Sequence, residues 1–401
     1  MRSGRLILKG LRTVSALGCG GDEIRSAFQS DGAPAELRDA AARTPVFPLG
    51  SSAERLVQHL QGISRYSWLD RVTLMALVVA RLTLEAYHGR AEEIGLVSLG
   101  SARGAAETLE RTMGMFLDHS SRVPIHTSPA TTAGSISSWV AQDLFGRIEA
   151  REGIDSVVSL DTSMTCSSAF HALLAGVGFV RGGLARACLI GGAEACLTPY
   201  TVSQLQALGL YGRGETAWPC RPLVEAPHGS NSVVLGEGAG TAILTLDSAE
   251  PQEEDLEILG IGWALEETPS ATGISADGRA FESSMRMACR ELSPGVTVDA
   301  VVAHAPGSVR GDAAELSAIR RTLGELPLVT TKHLTGHTYG ASGFLSLELA
   351  RYLLQGGVWL GLPYAVGGTP IATGSLRAVM VNTAGFGGNS ISVIVRAGGR
   401  G

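Results

Sequence analysis

Ten short, almost wholly apolar runs recur along this chain, and segments of helical periodicity separate them. The runs are RLILKGL, IGLVSLG, SVVSLD, ACLIGG, TAILTL, LEILGIGWAL, AVVAHA, LPLVTT, AVMVNT and ISVIVR. Between them lie patterns such as WLDRVTLMALVVARLTLEAY, ISSWVAQDLF, FHALLAGVGFVRGG, GDAAELSAIRRTL and GASGFLSLELARYLL. Strands alternating with helices predict an α/β fold with parallel or mixed sheets. Continuous apolarity, without in-out alternation, predicts sheets covered by helices on both faces. A chain of 401 residues with 45% hydrophobic and 17% charged residues has ample material for such a core.

The pattern breaks once, at the charged stretch DSAEPQEEDLE that begins at Asp247. It marks the expected boundary between two halves, residues 1–247 and 248–401. Each half has the same syntax: strand, reactive-looking turn, helix, then a late pair of strands. A net charge of −6 provides no general attraction to nucleic acid, so none is expected as a partner. The opening MRSGRLILKGLRT follows its apolar run at once with charge, unlike a secretory signal, and no run approaches the ~18 apolar residues of a membrane helix. A cytoplasmic protein with no membrane partner is expected. The six cysteines form no CxxC pair, which argues against a zinc ribbon or a disulfide framework and predicts no metal.

Four segments concentrate reactive side chains at strand ends. In DTSMTCSSAFHALL, Cys166 stands where an apolar run gives way to a helix, between hydroxyl residues. A free cysteine there serves either as a small core residue or as a nucleophile. Helix N-termini lower a thiol pKa from its ordinary value of about 8.5. In VVAHAPGSVRGDAAEL, His304 ends a strand and a Pro-Gly turn leads to a helix bearing Asp312 and Glu315. In TTKHLTGHTYGASG, His337 precedes a helix start and Lys332 lies upstream. Of the 32 basic residues only Lys9 and Lys332 are lysine, which makes Lys332 worth explaining. In VNTAGFGGNSISVIV, Phe386 is flanked by Gly385, Gly387 and Gly388, either as a plain hairpin turn or as a loop whose N–H groups face a ligand oxygen. Two histidines, a lysine and a thiol at such seams suit a thioester-handling site better than a metal site, whose ligands would be more closely spaced.

With these segments in view, the chain resembles the β-ketoacyl-(acyl carrier protein) synthases, the elongating condensing enzymes of type II fatty acid and polyketide assembly. SMTCSSA resembles their nucleophile segment, LIGGAEACLTP and VVLGEGAGTAIL their glycine-rich segments, HAPGSVRGDAAEL and TKHLTGHTYGASG their two histidine motifs, and NTAGFGG their C-terminal loop. The resemblance runs along essentially the whole chain. It implies a thiolase-like fold of two pseudo-repeated halves, each a mixed five-stranded sheet layered with helices. It also implies decarboxylative Claisen condensation, in which Cys166 carries the acyl group and His304 and His337 hold the enolate of a malonyl thioester. Lys332 would orient the polar centre with Glu315 and Asp312, and the N–H groups of Cys166 and Phe386 would form the oxyanion hole. Ser308, Phe386 and Gly387 would contact the pantetheine arm and acyl chain.

The resemblance implies an acyl carrier protein as partner; the carrier is acidic, so docking needs local arginines, and ISRYSWLDR offers Arg65 and Arg71. It further implies a homodimer, or a heterodimer with a chain-length-factor subunit. No diffusible cofactor is implied, because the carrier brings the phosphopantetheine. The chain departs from the family in three places. His304-Ala305-Pro306-Gly307-Ser308 replaces the usual His-Gly-Thr-x-Thr, Asn389-Ser390 replaces Thr-Asn, and Ser346 stands where glutamate is frequent. These changes favour a specialised polyketide or polyene role. The rival readings are a catalytically silent partner subunit and a thiolase, but a thiolase needs a late second cysteine and none follows Cys289.

Overall fold

The computed structural model describes residues 4–29, 36–39, 44–118, 135–147, 157–213, 217–224, 230–248, 250–268, 273–359, 361–364 and 376–399. Each of the ten apolar runs contains a strand: β1 (Arg5–Ser15), β4 (Ile94–Gly100), β5 (Val158–Thr162), β6 (Ala187–Glu194), β7 (Gly238–Asp247), β8 (Leu256–Leu265), β9 (Ala300–Val302), β10 (Leu328–Val329), β11 (Val379–Gly385) and β12 (Asn389–Ala397). Two short strands, β2 (Glu36–Asp39) and β3 (Thr44–Val46), form a separate hairpin that the apolar runs did not announce.

The ten strands form one sheet in the order β10-β9-β11-β12-β8-β1-β7-β6-β4-β5. Outward from the centre, β1 pairs antiparallel with β7, β7 antiparallel with β6, β6 parallel with β4, and β4 parallel with β5. On the other side β8, β12, β11, β9 and β10 repeat this sequence of pairings. The two five-stranded units join through β1 and β8, with Leu6 opposite Ile258 and Leu8 opposite Leu256. The repeat passes from one unit to the next across the charged stretch between β7 and β8.

Helices cover both faces, as the continuous apolarity of the strands requires. Helix α3 (Arg71–Ala86) packs on β1, β7 and β6, and α8 (Arg279–Cys289) packs on β8 and β12. Between the units lie α6 (Ser168–Gly182) and α11 (Ser342–Leu354), and α11 touches strands of both. These two helices meet through Phe170 and Phe344, with ring centroids 6.4 Å apart and nearly perpendicular. Helices α1 (Gly21–Gln29), α2 (Ser51–Gln61), α4 (Ala106–Asp118), α5 (Ile136–Arg147), α7 (Pro199–Ala207), α9 (Val309–Leu323) and the short α10 (Lys332–Thr335) complete the described elements. Among the described residues, no helix is long and apolar enough to cross a membrane.

In both units the loops after the parallel strands project to one side, where open α/β sheets place their ligands. Cys166 follows β5, His304 follows β9, and His337 follows β10 and α10.

Candidate active site

Cys166 sits at a strained turn. The chain leaves β5 at Thr162 and reverses at Thr165, whose φ is +50, a left-handed value that costs a non-glycine residue energy. The hydroxyls around the thiol hold this turn in place. Ser168 Oγ accepts from the Met164 N–H at 2.9 Å and donates to the Thr165 carbonyl at 2.6 Å, and Thr162 Oγ1 donates to the Ser168 carbonyl. Helix α6 then begins at Ser168, leaving the sulfur beside its first turn.

The second unit supplies the imidazoles. Glu315, on α9, accepts hydrogen bonds from the backbone N–H groups of His304 and Ala305 at 2.8 Å each, and from Asn382 Nδ2 at 3.1 Å. Asp312, one turn earlier, accepts from the N–H groups of Leu223, Gly307 and Ser308. The pair therefore clamps the loop that carries His304, although proline occupies position 306. His337 is tied by its own N–H to the Val234 carbonyl at 2.7 Å. Gly336 before it has φ +65, and a Cβ there would lie 2.9 Å from the Gly236 nitrogen, so only glycine fits.

These supports bring the side chains together. His337 Nε2 lies 3.1 Å from Cys166 Sγ, and the two imidazole rings are 5.4 Å apart and nearly perpendicular. One ligating atom from each of Cys166, His304 and His337 falls within a 4.8 Å cluster. Sequence spacing therefore gives no ground for excluding a metal here. Burial keeps both imidazoles in the neutral form, which is also the form that ligates a metal.

Burial sets the protonation states. It holds His304 well below the ordinary histidine range and His337 at about 3, so both rings are neutral. It pulls Lys332 down to about 8, against the attraction of Glu315. The thiol reverses the expectation drawn from the helix terminus: desolvation, reinforced by the charge of Glu194, pushes Cys166 up to about 12. The resting group is a neutral thiol.

Cys166, His304, His337, Pro306, Ser308 and Phe386 all line one cavity of about 50 Å³. Phe386 stands at the tip of the β11–β12 hairpin, where Gly387 and Gly388 take φ +89 and +80. Gly387 forms the turn and does not line the cavity. The hairpin presses on the nucleophile turn, since a Cβ on Gly385 would lie 1.9 Å from Thr165 Oγ1. Asn389 bridges the two, its Oδ1 against Ser167 Oγ and its Nδ2 donating to the Phe386 carbonyl at 3.3 Å.

Two expected residues lie elsewhere. Arg65 is exposed, its guanidinium over the Tyr66 ring. Arg71, the other arginine expected to dock a carrier, is ion-paired within the chain, to Glu237 at 2.8 Å and Glu54 at 2.6 Å. A further residue was missed. Glu194, fully buried at the end of β6, accepts from the N–H groups of Ala102, Arg103 and Gly340 and from Ser101 Oγ. It thereby ties the loop after β4 to the loop carrying His337. Its signal was a lone acid within the apolar run ACLIGGAEAC, since acids are rarely buried without partners.

The doubled topology, with its reactive loops converging on one cavity, defines a thiolase-like ketosynthase fold. Solved structures agree. A β-ketoacyl synthase from Burkholderia phymatum STM815 superposes with a TM-score of 0.79 at 23% identity, covering 98% of this chain and 99% of that one. The ishigamide ketosynthase/chain length factor gives 0.78 at 18% identity, covering 99% and 100%. Residues 20–249 match the β-ketoacyl synthase N-terminal domain and residues 256–362 the C-terminal domain. Staphylococcus aureus 3-oxoacyl-[acyl-carrier-protein] synthase 2 is 30% identical over 293 residues, 69% of this chain and 68% of that protein. Nodulation protein E of Rhizobium leguminosarum bv. trifolii is 29% identical over 310 residues, 72% and 71% of the two chains. The chain belongs to the β-ketoacyl synthase family.

Proposed function

We propose that this protein is an elongating β-ketoacyl-acyl carrier protein synthase that joins an acyl group on Cys166 to a malonyl unit. The observation that carries the reading is the 3.1 Å approach of His337 Nε2 to Cys166 Sγ, with His304 beside them in one cavity. A thiol at about 12 gives up its proton only as sulfur attacks, and His337 Nε2 is in reach to pass that proton on. With its ring held at about 3, His337 relays the proton to the departing carrier sulfur within the step and returns to the neutral form. Sulfur attacks the thioester carbonyl of an acyl carrier protein, and the carrier thiolate leaves with the proton relayed from Sγ. A malonyl thioester then loses CO₂. The resulting enolate oxygen is held by the two neutral imidazoles, each able to donate one N–H. The enolate carbon attacks the acyl carbonyl and expels the Cys166 sulfur as thiolate, which takes up one proton from solvent to restore the resting thiol and close the cycle. Cys166 and Phe386 both line the cavity, and their backbone N–H groups are the donors proposed for the tetrahedral oxyanion. Lys332 and Glu315 act as positioning residues.

The reaction needs no resident cofactor or metal, since the carrier brings the phosphopantetheine, for which Ser308 offers a hydroxyl at the cavity wall. The edge strand β5 leaves Val158 44% and Leu160 38% exposed, an apolar edge with no further strand beside it among the described residues, which suits a two-fold partner, either a second copy or a chain-length-factor-type subunit. The altered His304 loop favours polyketide or polyene assembly in the cytoplasm over housekeeping fatty acid synthesis. The test is incubation with radiolabelled acyl carrier thioester, then malonyl carrier protein. Label retained on Cys166 and released as a 3-ketoacyl product is expected. No label on a folded protein overturns the reading in favour of a silent partner subunit.

A further inference from the structure

We infer that Tyr339 is a specificity-determining residue that closes the acyl end of the cavity and restricts Cys166 to short-chain acyl groups. The inference rests on the proposed acylation of Cys166. It begins from a strained aromatic residue. Tyr339 has φ +38, a left-handed conformation that bulky residues rarely adopt, and it is one of four non-glycine residues in the described chain with positive φ. Its backbone is locked on both sides, His337 N–H to the Val234 carbonyl at 2.7 Å and Gly340 N–H to Glu194 Oε2 at 3.0 Å. A Cβ at Gly340 would lie 2.8 Å from the Ala102 nitrogen, so the loop cannot relax in that direction.

The strain leaves the phenol ring in the cavity wall, its centroid 5.1 Å from that of His337. Tyr339 is buried with Cys166, Cys196, Val202, Leu205 and Val233 in one apolar cluster. The apolar lining falls into two groups: Tyr339, Leu205 and Val233 share one cluster with Cys166, whereas Phe281, Ala384 and Ile274 belong to another. His304 and Ser308 add polar groups that a thioester and its pantetheine arm can hydrogen-bond. Because the cluster that holds the sulfur is the one that holds Tyr339, the hydrocarbon tail of an acyl-Cys166 runs against the Tyr339 ring, in a cluster where Cys196 and Val202 are already packed. With about 50 Å³ of free volume, the cavity has little length to give.

The experiment measures rates of Cys166 acylation by acetyl, butyryl, octanoyl and dodecanoyl thioesters, using intact-mass spectrometry. Wild type, Tyr339→Phe, Tyr339→Leu and Tyr339→Gly are compared, each checked for fold by circular dichroism. The wild type is expected to favour butyryl over octanoyl by about tenfold or more, as pockets of fixed depth discriminate. Tyr339→Phe keeps that ratio, because the ring and not the hydroxyl sets the depth. Tyr339→Leu and Tyr339→Gly raise the octanoyl-to-butyryl ratio by about tenfold, and glycine also relieves the backbone strain. A wild type that favours octanoyl, or a ratio unmoved in whichever of the two ring-deleting variants folds, overturns the assignment. Acylation by no thioester in any variant overturns instead the reading of Cys166 on which it rests.

Discussion

The two halves of this molecule share a topology and divide the chemistry. Each is a five-stranded unit with one order of pairings, and each sends its central helix into the same middle layer. The first turns of those helices even align residue by residue: Ser168, Phe170 and Leu173 in α6 match Ser342, Phe344 and Leu347 in α11, and Gly182 matches Gly356. The loops differ. The first half makes a tight, hydroxyl-bound turn that presents one sulfur, whereas the second makes two glycine-dependent loops that present imidazoles. Each half also buries one glutamate whose work is to hold loops. Glu315 serves its own half, while Glu194 reaches across to Gly340. Duplication thus supplies the scaffold, and asymmetry in the loops brings one sulfur and two imidazoles to one point.

The division of labour is broken most completely at the sulfur. Cys166→Ser should lower condensation by about 10⁴-fold or more, measured as 3-ketoacyl product, and abolish covalent acyl label. In the second half, His304→Ala and His337→Ala should each lower malonyl decarboxylation by about 10²–10³-fold, and His304→Ala should leave acylation of Cys166 comparatively intact. Glu315→Ala strands two buried backbone donors, so a loss of about 2–4 kcal/mol is expected in urea denaturation. Arg71→Ala leaves buried Glu237 without its counter-ion. With the Arg71 side chain 24% exposed, a loss of about 1–3 kcal/mol is expected by the same measurement.

The smallest effect is a pH dependence at Glu194. Burial pushes this carboxyl up to about 7 from an ordinary 4.5. Between those values the folded chain keeps a proton that the unfolded chain has released. The stability this contributes is complete at low pH and is lost as pH rises through about 7. Denaturation midpoints of the wild type relative to Glu194→Gln should therefore fall between about pH 5 and about pH 7 and stay level above it.

Much of the scaffold was legible because apolar runs and helical periods are local signals. Every apolar run carries a strand, and the charged stretch after Asp247 lies where the topology begins to repeat. The hairpin β2–β3 and helices such as α2 and α7 were not legible, being short or weakly patterned. The repeat in α6 and α11 was present in the residues but spread over few positions, and it shows only when the two helix starts, Ser168 and Ser342, are set side by side. At the site, Cys166, His304, Lys332 and His337 announced themselves by chemical type at strand ends. The partners of Arg71 were not legible, since an arginine in a polar segment looks free until Glu237, far along the chain, closes on it.

The sequence by itself determined which residues could react and which segments had to be strands, because both depend on side-chain chemistry and local period. Only the tertiary structure decided the distance between sulfur and imidazole, the protonation state of the thiol, the role of Glu194 and the placing of Tyr339. Those depend on desolvation and on contacts between residues remote in the chain, which no local pattern encodes.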